Sequence, residues 1–119
     1  MRDLERFEVL TRAKSLTVSC YRSTKAFPHT ERFGLMSQIN RASVSIAANI
    51  AEGLGRGTQG DFERHLRIAL GSAAELQVLL DLSSEVLDLP AQQTSGITEE
   101  LDAVRRKLNR LVSKVAAER

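Results

Sequence analysis

Apolar residues recur every three or four positions in four segments of the chain, which is the spacing of one face of an α-helix. In the first segment this face carries Val9, Ala13, Leu16 and Cys20. We predict helices over about residues 3–26, 31–53, 59–87 and 98–117. Short connections favour neighbours that run in opposite directions. The pattern therefore predicts an all-α protein, with residues 1–119 forming a single domain that is an antiparallel, up-down-up-down four-helix bundle.

Proline and glycine mark the predicted breaks between these helices. Pro28 ends the first helix, because a residue before proline is disfavoured in the helical conformation. The glycine-rich residues 53–57 end the second helix, and Thr58, with an acid three residues later, resembles a capping box. Residues 89–96 are predicted as a loop, with Thr98 as the N-cap of the last helix.

The third helix carries a second apolar stripe, which is separate from its core-facing side. Its members are Ile68, Leu79, Leu82 and Val86. A helix that is apolar on two sides is usually buried on two sides, and the outer side of a monomeric bundle faces water. We therefore expect a homo-oligomer with this stripe in the subunit interface. The alternative is a set of ordinary exposed apolar residues, which are common on protein surfaces.

A stripe of polar residues runs beside the core face of helices two and three. It comprises Gln38, Arg41, Ser45, Asn49, Glu52, Ser72 and Glu75. Buried polar groups are costly unless they are hydrogen-bonded. We expect a structural network that fixes the register of the two helices, in which Arg41 and Glu75 could pair. The alternative is a ligand-binding or catalytic pocket.

Composition supports a soluble cytoplasmic protein. Charged residues make up 27% of the 119 and hydrophobic residues 42%, as in ordinary globular proteins. The lone Cys20 is expected in the core and favours a reducing compartment. The charged first residues are unlike a signal peptide. The ten uncharged residues 42–51 are too few to span a bilayer, so no membrane association is expected.

Basic residues cluster at the end of the last helix and along the first. The cluster on the last helix is Arg106, Lys107, Arg110 and Lys114, and the first helix adds Arg12, Lys14, Arg22 and Lys25. Such clusters bind phosphate backbones electrostatically, and more strongly when an oligomer repeats them. The alternative is a solvated charged surface. We expect the five aromatic residues to be directed mostly inward, so base stacking is not expected.

Catalytic chemistry has little support in the sequence. The glycines of residues 53–57 lack the Gly-Lys-Ser/Thr ending of a phosphate loop and follow a helix rather than a strand. Glu52 and Glu75 have no Glu-x-x-His partner, so we predict no metal and no cofactor. His29 and His65 are expected at the surface. A hydrolytic enzyme would require Glu52 and Glu75 to be open to solvent and to respond to metal ions.

Several short motifs form a specific combination in the central part of the chain. Residues 27–28 read Phe-Pro, residues 37–38 Ser-Gln, residues 49–53 Asn-Ile-Ala-Glu-Gly, and residues 71–75 Gly-Ser-x-x-Glu. Together they resemble the 23S rRNA intervening-sequence proteins, a four-helix-bundle family. The similarity extends over residues 7–112 and is densest over residues 27–75. Asn40 departs from the family, since a basic residue is common there, which weakens any nucleic-acid patch on helix two.

The resemblance implies a small bacterial, cytosolic bundle that assembles into pentameric rings. Some members are encoded within insertions in large-subunit rRNA genes, and a similar bundle is the accessory protein of diversity-generating retroelements, which binds nucleic acid and a reverse transcriptase. No catalytic residue is carried over. We therefore expect a non-enzymatic oligomer that binds RNA or DNA through its clustered arginines and lysines. The alternative is an adaptor or scaffold ring for a protein partner such as a polymerase.

Overall fold

The protein forms four α-helices and one short 3₁₀ helix in a computed structural model that describes residues 2–118. The α-helices are α1 (Arg2–Thr24), α2 (Leu35–Leu54), α3 (Gln59–Val86) and α4 (Gln92–Glu118), and the 3₁₀ helix is His29–Glu31. Within residues 2–118 no strand is formed. The predicted all-α four-helix bundle is confirmed.

Each helix packs against two neighbours, and the neighbours run in opposite directions. The α1 and α3 helices both pack against α2 and α4. Glu5, near the start of α1, contacts Lys114, near the end of α4, whereas Ser19 further along α1 contacts Glu100, closer to the start of α4. Contacts between the other neighbouring helices follow the same reversed order. In this arrangement α1 and α3 are diagonal to one another.

The core fills the space between the inward faces of the four helices. Val9, Ala13, Leu16 and Cys20 of α1 are fully or almost fully buried, as the periodicity predicts. Apolar residues from α2, α3 and α4 complete one cluster with them. Within the described residues, no helix is long and apolar enough to cross a membrane.

The start of α4 differs from the prediction. The helix begins at Gln92, and Thr98 lies inside it, where its Oγ1 donates to the carbonyl oxygen of Thr94 at 3.1 Å. Thr94 and Ile97 are buried against the rest of the bundle. Burial of this first turn outweighs the unfavourable helix propensity of Gly96, which costs about 1 kcal/mol relative to alanine. Residues 92–96 are therefore helical rather than loop.

The turn between α2 and α3 follows the predicted chemistry. The Oγ1 of Thr58 accepts a hydrogen bond from the backbone N–H of Asp61 at 3.1 Å, which caps α3. The α2 helix ends at Leu54, within the glycine-rich segment. Its start, at Leu35, is a few residues later than predicted because a 3₁₀ turn precedes it.

Candidate functional site

A chain of polar side chains joins α2 to α3 inside the bundle, and we call it the α2–α3 seam: Ser45, Asn49, His65 and Ser72. The hydroxyl oxygens of Ser45 and Ser72 are 2.8 Å apart. The Asn49 amide donates to the backbone oxygen of Ser45 at 2.9 Å and to its hydroxyl at 3.2 Å. Each residue of the seam therefore has a hydrogen-bond partner within it, which is what a register-fixing network requires.

The seam includes a histidine that the sequence analysis assigned to the surface. His65 is only 6% exposed, and its Nδ1 is 3.2 Å from the Oδ1 of Asn49. The expectation of a surface position was wrong, because the charged neighbours of His65 in sequence point to other sides of the helix. His65 lies three residues after the buried Phe62 and four before the buried Ala69, which is the spacing of one helix face. That spacing was the available signal.

The other members of the predicted polar stripe lie outside the seam. Glu52 forms an exposed ion pair with Arg56, whose Nη2 is 3.2 Å from its Oε2. Arg41 and Glu75 are both exposed, and they form no ion pair with each other in the described part of the chain. The expected Arg41–Glu75 pair is therefore absent, and both charges remain at the surface.

Arg41 and Glu75 line an open groove of about 530 Å³ between the start of α2 and the middle of α3, which we call the Phe33 groove. Its lining residues are Phe33, Ser37, Gln38, Arg41, Ala42, Ser45 and Glu75. The groove offers an aromatic ring, a guanidinium, an amide, a carboxylate and hydroxyls. It meets the α2–α3 seam at Ser45.

Phe33 corrects the expectation that the aromatic residues are mostly directed inward. Its side chain is 88% exposed, and the guanidinium carbon of Arg32 lies 5.4 Å from its ring centroid. Phe7 and Tyr21 on α1 are exposed as well, whereas Phe27 and Phe62 are buried. Phe33 falls between the 3₁₀ turn and α2, so helical periodicity carries no information about its direction.

A basic surface lies along α4 and the adjoining side of α1, and we call it the α1–α4 patch: Arg12, Arg106, Lys107, Arg110 and Lys114. Two of its cations have carboxylate partners on α1. The Nζ of Lys114 is 2.7 Å from the Oε1 of Glu5, and Lys107 pairs with Glu8. These hydrogen bonds are the main reason that the pKa values of Glu5 and Glu8 lie below their ordinary value of 4.5.

The remaining predicted cations of α1 occupy a different surface. Lys14 and Arg22 are exposed on the outer side of the helix, and Lys25 is exposed in the turn directly after it. Their spacing places them beside a row of exposed apolar side chains on the same side, namely Leu4, Phe7, Val18 and Tyr21. The structure therefore separates the predicted basic residues into the α1–α4 patch and this mixed outer face of α1.

The predicted apolar stripe of α3 is only partly at the surface. Ile68, Leu82 and Val86 are exposed, but Leu79 is 6% exposed and belongs to the core cluster. Leu79 lies three residues after Leu76 and four before Ser83, both buried, so it shares their inward face. The exposed Val78, which the sequence analysis did not include, lies on the outer side instead.

The glycine turn forms a second, smaller pocket of about 300 Å³. Arg6 crosses it, with its Nη2 donating to the Oε1 of Gln59 at 3.1 Å and its guanidinium carbon 4.4 Å from the ring centroid of Phe62. Gly53 packs closely there, since a Cβ on it would be 2.9 Å from Cδ1 of Phe62. The turn thus serves close packing of α2 on α3.

Nucleophilic and metal-binding groups are sparse in the described structure. Burial raises the pKa of the Cys20 thiol to about 12, so the reactive thiolate is disfavoured. Among the side chains that the structure describes, residues 4–118, no three His, Cys, Asp or Glu are grouped so that they could hold a metal ion. Glu52 and Glu75, the carboxylates that a hydrolytic enzyme would require, take part in separate surface features.

Comparison with known proteins agrees with the fold. A crystal structure of a protein of unknown function from the S23 ribosomal protein family of Bacteroides thetaiotaomicron is similar, with a TM-score of 0.83 and 23% identity. The match covers 92% of this chain and 98% of that one. A comparison with curated proteins finds no match. Residues 5–110 match the family described as 23S rRNA-intervening sequence protein. This match spans most of the bundle, and the chain belongs to that family.

Proposed function

We propose that the protein is a non-enzymatic, cytoplasmic homo-oligomer that binds RNA or DNA electrostatically through the α1–α4 patch. The observation that carries the proposal is the charge of this patch, which has five cations against the carboxylates of Glu5 and Glu8 and that of Glu100 beside Arg12. The descriptions of the family and of its structural neighbour, which name 23S rRNA and a ribosomal protein family, support a nucleic-acid partner.

The arginines of the patch are the groups best suited to contact phosphates. Arg106 and Arg110 are exposed on the outward side of α4, and Arg12 is exposed on α1. None of the three has an ion-pair partner among the residues that the structure describes. Arginine binds phosphate oxygens with two parallel N–H donors, and these contacts depend on charge rather than on base sequence. Binding is therefore sequence-tolerant and strongly salt-dependent.

Assembly would multiply this charge, and two outer faces of the bundle suit a contact between copies. One is the outer face of α3, with Ile68, Val78, Leu82 and Val86, and the other is the mixed outer face of α1. The two faces lie on diagonal helices and differ in composition. A contact between two different faces is heterologous, and it closes into a ring when the rotation permits. A pentamer is the ring size that the family resemblance implies.

Charge complementarity favours the pairing of these two faces. The α1 face carries Arg22 and Lys25, whereas the α3 face carries the exposed acids Asp81 and Glu85 close to its apolar residues. Opposite charges around an apolar contact favour the correct partner and suppress like-with-like pairing. We therefore assign Lys14, Arg22 and Lys25 to the subunit contact and keep the α1–α4 patch for nucleic acid.

The binding proposal is tested by fluorescence anisotropy with structured RNA and duplex DNA at low and near-physiological salt. We expect tight binding at low salt and a steep loss at higher salt, because each phosphate contact releases counterions. The double variant R106E/R110E should abolish binding at an unchanged oligomer mass. The matched variant R106K/R110K retains the charge and should retain most of the affinity.

Two results would contradict the patch assignment. Either R106E/R110E binds as tightly as the wild type, or the wild type does not bind at low salt. In the second case the exposed apolar faces would favour the alternative function, a scaffold ring for a protein partner such as a polymerase. A protein that copurifies through nuclease treatment and high salt would then identify that partner.

The assembly proposal is tested by light scattering on variants of the inner and outer sides of α3. The double variant L82E/V86E should give smaller species that keep their helical content, because both side chains are exposed. In contrast, L79E should unfold the bundle, since it places an unpaired charge in the core. If L82E/V86E keeps the wild-type mass, the interface lies elsewhere.

A further inference from the structure

We propose that the Phe33 groove binds one unpaired nucleotide of a single strand, with the base stacked on Phe33 and a phosphate held by Arg41. This inference rests on the proposed nucleic-acid function and adds a second site to it. The α1–α4 patch would attract phosphate backbones in general, and the groove would select strands that expose an unstacked base.

Phe33 lines the groove with an exposed aromatic ring. A phenylalanine ring that is 88% exposed gains nothing from burial in the bundle. The guanidinium carbon of Arg32 lies over the ring, 5.4 Å from its centroid, so a base would stack on the ring's opposite face. An aromatic ring next to arginine is the combination by which proteins bind single strands, because every base has a π-face and every nucleotide a phosphate.

The groove has the size and the polar groups of a small-molecule site. Its volume of about 530 Å³ falls within the usual range of small-molecule sites, roughly 300–1,000 Å³. Gln38 supplies an amide that can both donate to and accept from a base edge, and the hydroxyls of Ser37 and Ser45 can do the same. The groove therefore has more hydrogen-bonding groups than contact with a phosphate alone would use.

The groove also carries one positive and one negative charge. Arg41 and Glu75 are exposed on the same groove without an ion pair between them. A guanidinium matches the geometry of a phosphate, and a carboxylate accepts hydrogen bonds from the N–H groups of a base edge. A nucleotide carries both kinds of group, whereas an inorganic anion would use Arg41 alone and leave Glu75 without a partner. This pair of charges favours a nucleotide over a simple anion.

The inference is tested by anisotropy titration of short fluorescein-labelled single strands, in an RNA arm and a DNA arm, beside a duplex of the same length. The variant F33A should weaken single-strand binding by about fivefold or more, in line with alanine substitutions at other base-stacking sites. Its duplex affinity should be unchanged. The matched variant F33W keeps an aromatic surface and should bind single strands like the wild type.

A second readout reports on the stacking itself. A single strand containing 2-aminopurine loses fluorescence when that base stacks, so the wild type should quench the signal and F33A should not. The variant R41Q should weaken single-strand binding without restoring fluorescence to the fraction that remains bound. The difference between the RNA and DNA arms then identifies which strand the groove prefers.

Three results with the F33A variant overturn the inference. They are wild-type binding of single strands by F33A, an equal loss of duplex binding in F33A, and a fall in the oligomer mass of F33A, which would make Phe33 a subunit contact. A wild type that binds duplexes but no single strands overturns the groove alone. A wild type that binds neither also contradicts the proposed function.

Discussion

The α2–α3 seam and the α1–α4 patch both connect two helices through polar side chains, but the seam is buried or half-buried and the patch is largely exposed. In the seam, Asn49 bridges Ser45 and the buried His65. In the patch, Glu5 and Glu8 reach Lys114 and Lys107 across an exposed surface. Similar numbers of polar contacts therefore act in different dielectric surroundings.

This difference separates a structural role from a surface role. A buried polar group that loses its partner also loses the water that would otherwise replace it, so removal is costly. An exposed ion pair loses little, because water and salt ions solvate both charges. The seam should therefore fix the register of α2 on α3, whereas the patch contributes mainly to the surface charge.

Asn49→Ala, a substitution in the seam, should have the largest effect on the free energy of unfolding. It removes the partner of the Nδ1 of His65 and both amide bonds to Ser45, and the expected cost is about 1–3 kcal/mol in the free energy of unfolding. Denaturant unfolding at fixed protein concentration measures this cost. The matched change Asn109→Ala, at an exposed position of α4, should stay within about 0.5 kcal/mol of the wild type.

Equal effects of the two asparagine substitutions would contradict this prediction. The seam would then be solvated well enough for water to replace Asn49. A restored stability in Asn49→Gln would not contradict it, because the longer amide can still reach His65 or Ser45 after a small adjustment.

Gly53→Ala and Gly96→Ala should change the stability of the protein in opposite directions, although both glycines lie in helices. A Cβ at Gly53 would be 2.9 Å from Phe62 and 3.0 Å from His65, so we expect a net loss of about 1 kcal/mol from overpacking. A Cβ at Gly96 meets nothing within 4 Å, and alanine there should stabilise α4 by about 0.5–1 kcal/mol. Thermal and denaturant unfolding of both variants provide the measurement.

A stabilising Gly53→Ala would show that Phe62 and His65 can move away without cost. The close approach of α2 to α3 would then not depend on glycine. A destabilising Gly96→Ala would indicate instead that the first turns of α4 are held in a strained position.

The inward faces of the helices could be predicted because each is a long, regular repeat. Val9, Ala13, Leu16 and Cys20 follow helical spacing and are all buried. The turn at Thr58 could be predicted for a similar reason, since capping depends on a few adjacent residues. Local chemistry and periodicity are both legible in one sequence.

The features that were missed depend on contacts between distant segments or on positions outside a helix. Burial of Thr94 and Ile97 extends α4 past a glycine that locally disfavours helix. The spacing of His65 from Phe62 and Ala69 indicated its buried face, but the partner of its ring nitrogen, Asn49, lies sixteen residues earlier in the chain. Phe33 lies in a connection, where no periodicity defines inside and outside. Of the predicted polar stripe, only Ser45, Asn49 and Ser72 belong to the seam, because membership depends on which side chains meet between α2 and α3.

The double substitution Glu5→Gln with Glu8→Gln, in the patch, should have the smallest effect on stability. The pH dependence of this effect distinguishes the patch from the seam. Both carboxyls have pKa values below 4.5 in the folded protein, chiefly because Lys114 and Lys107 donate hydrogen bonds to them. A carboxyl whose pKa is lowered on folding stabilises the protein above its unfolded pKa. That contribution is lost as the pH falls through the folded value.

We therefore expect the double variant to be slightly less stable than the wild type at neutral pH and equally stable well below pH 4.5, where both carboxyls are protonated. Added salt should shrink the neutral-pH difference, because these side chains are in water. The cost of Asn49→Ala involves no carboxylate among its hydrogen-bond partners, so added salt should change it little. If the stability difference between the double variant and the wild type changes with neither pH nor salt, Glu5 and Glu8 act through packing of their side-chain stems. The patch would then resemble the seam.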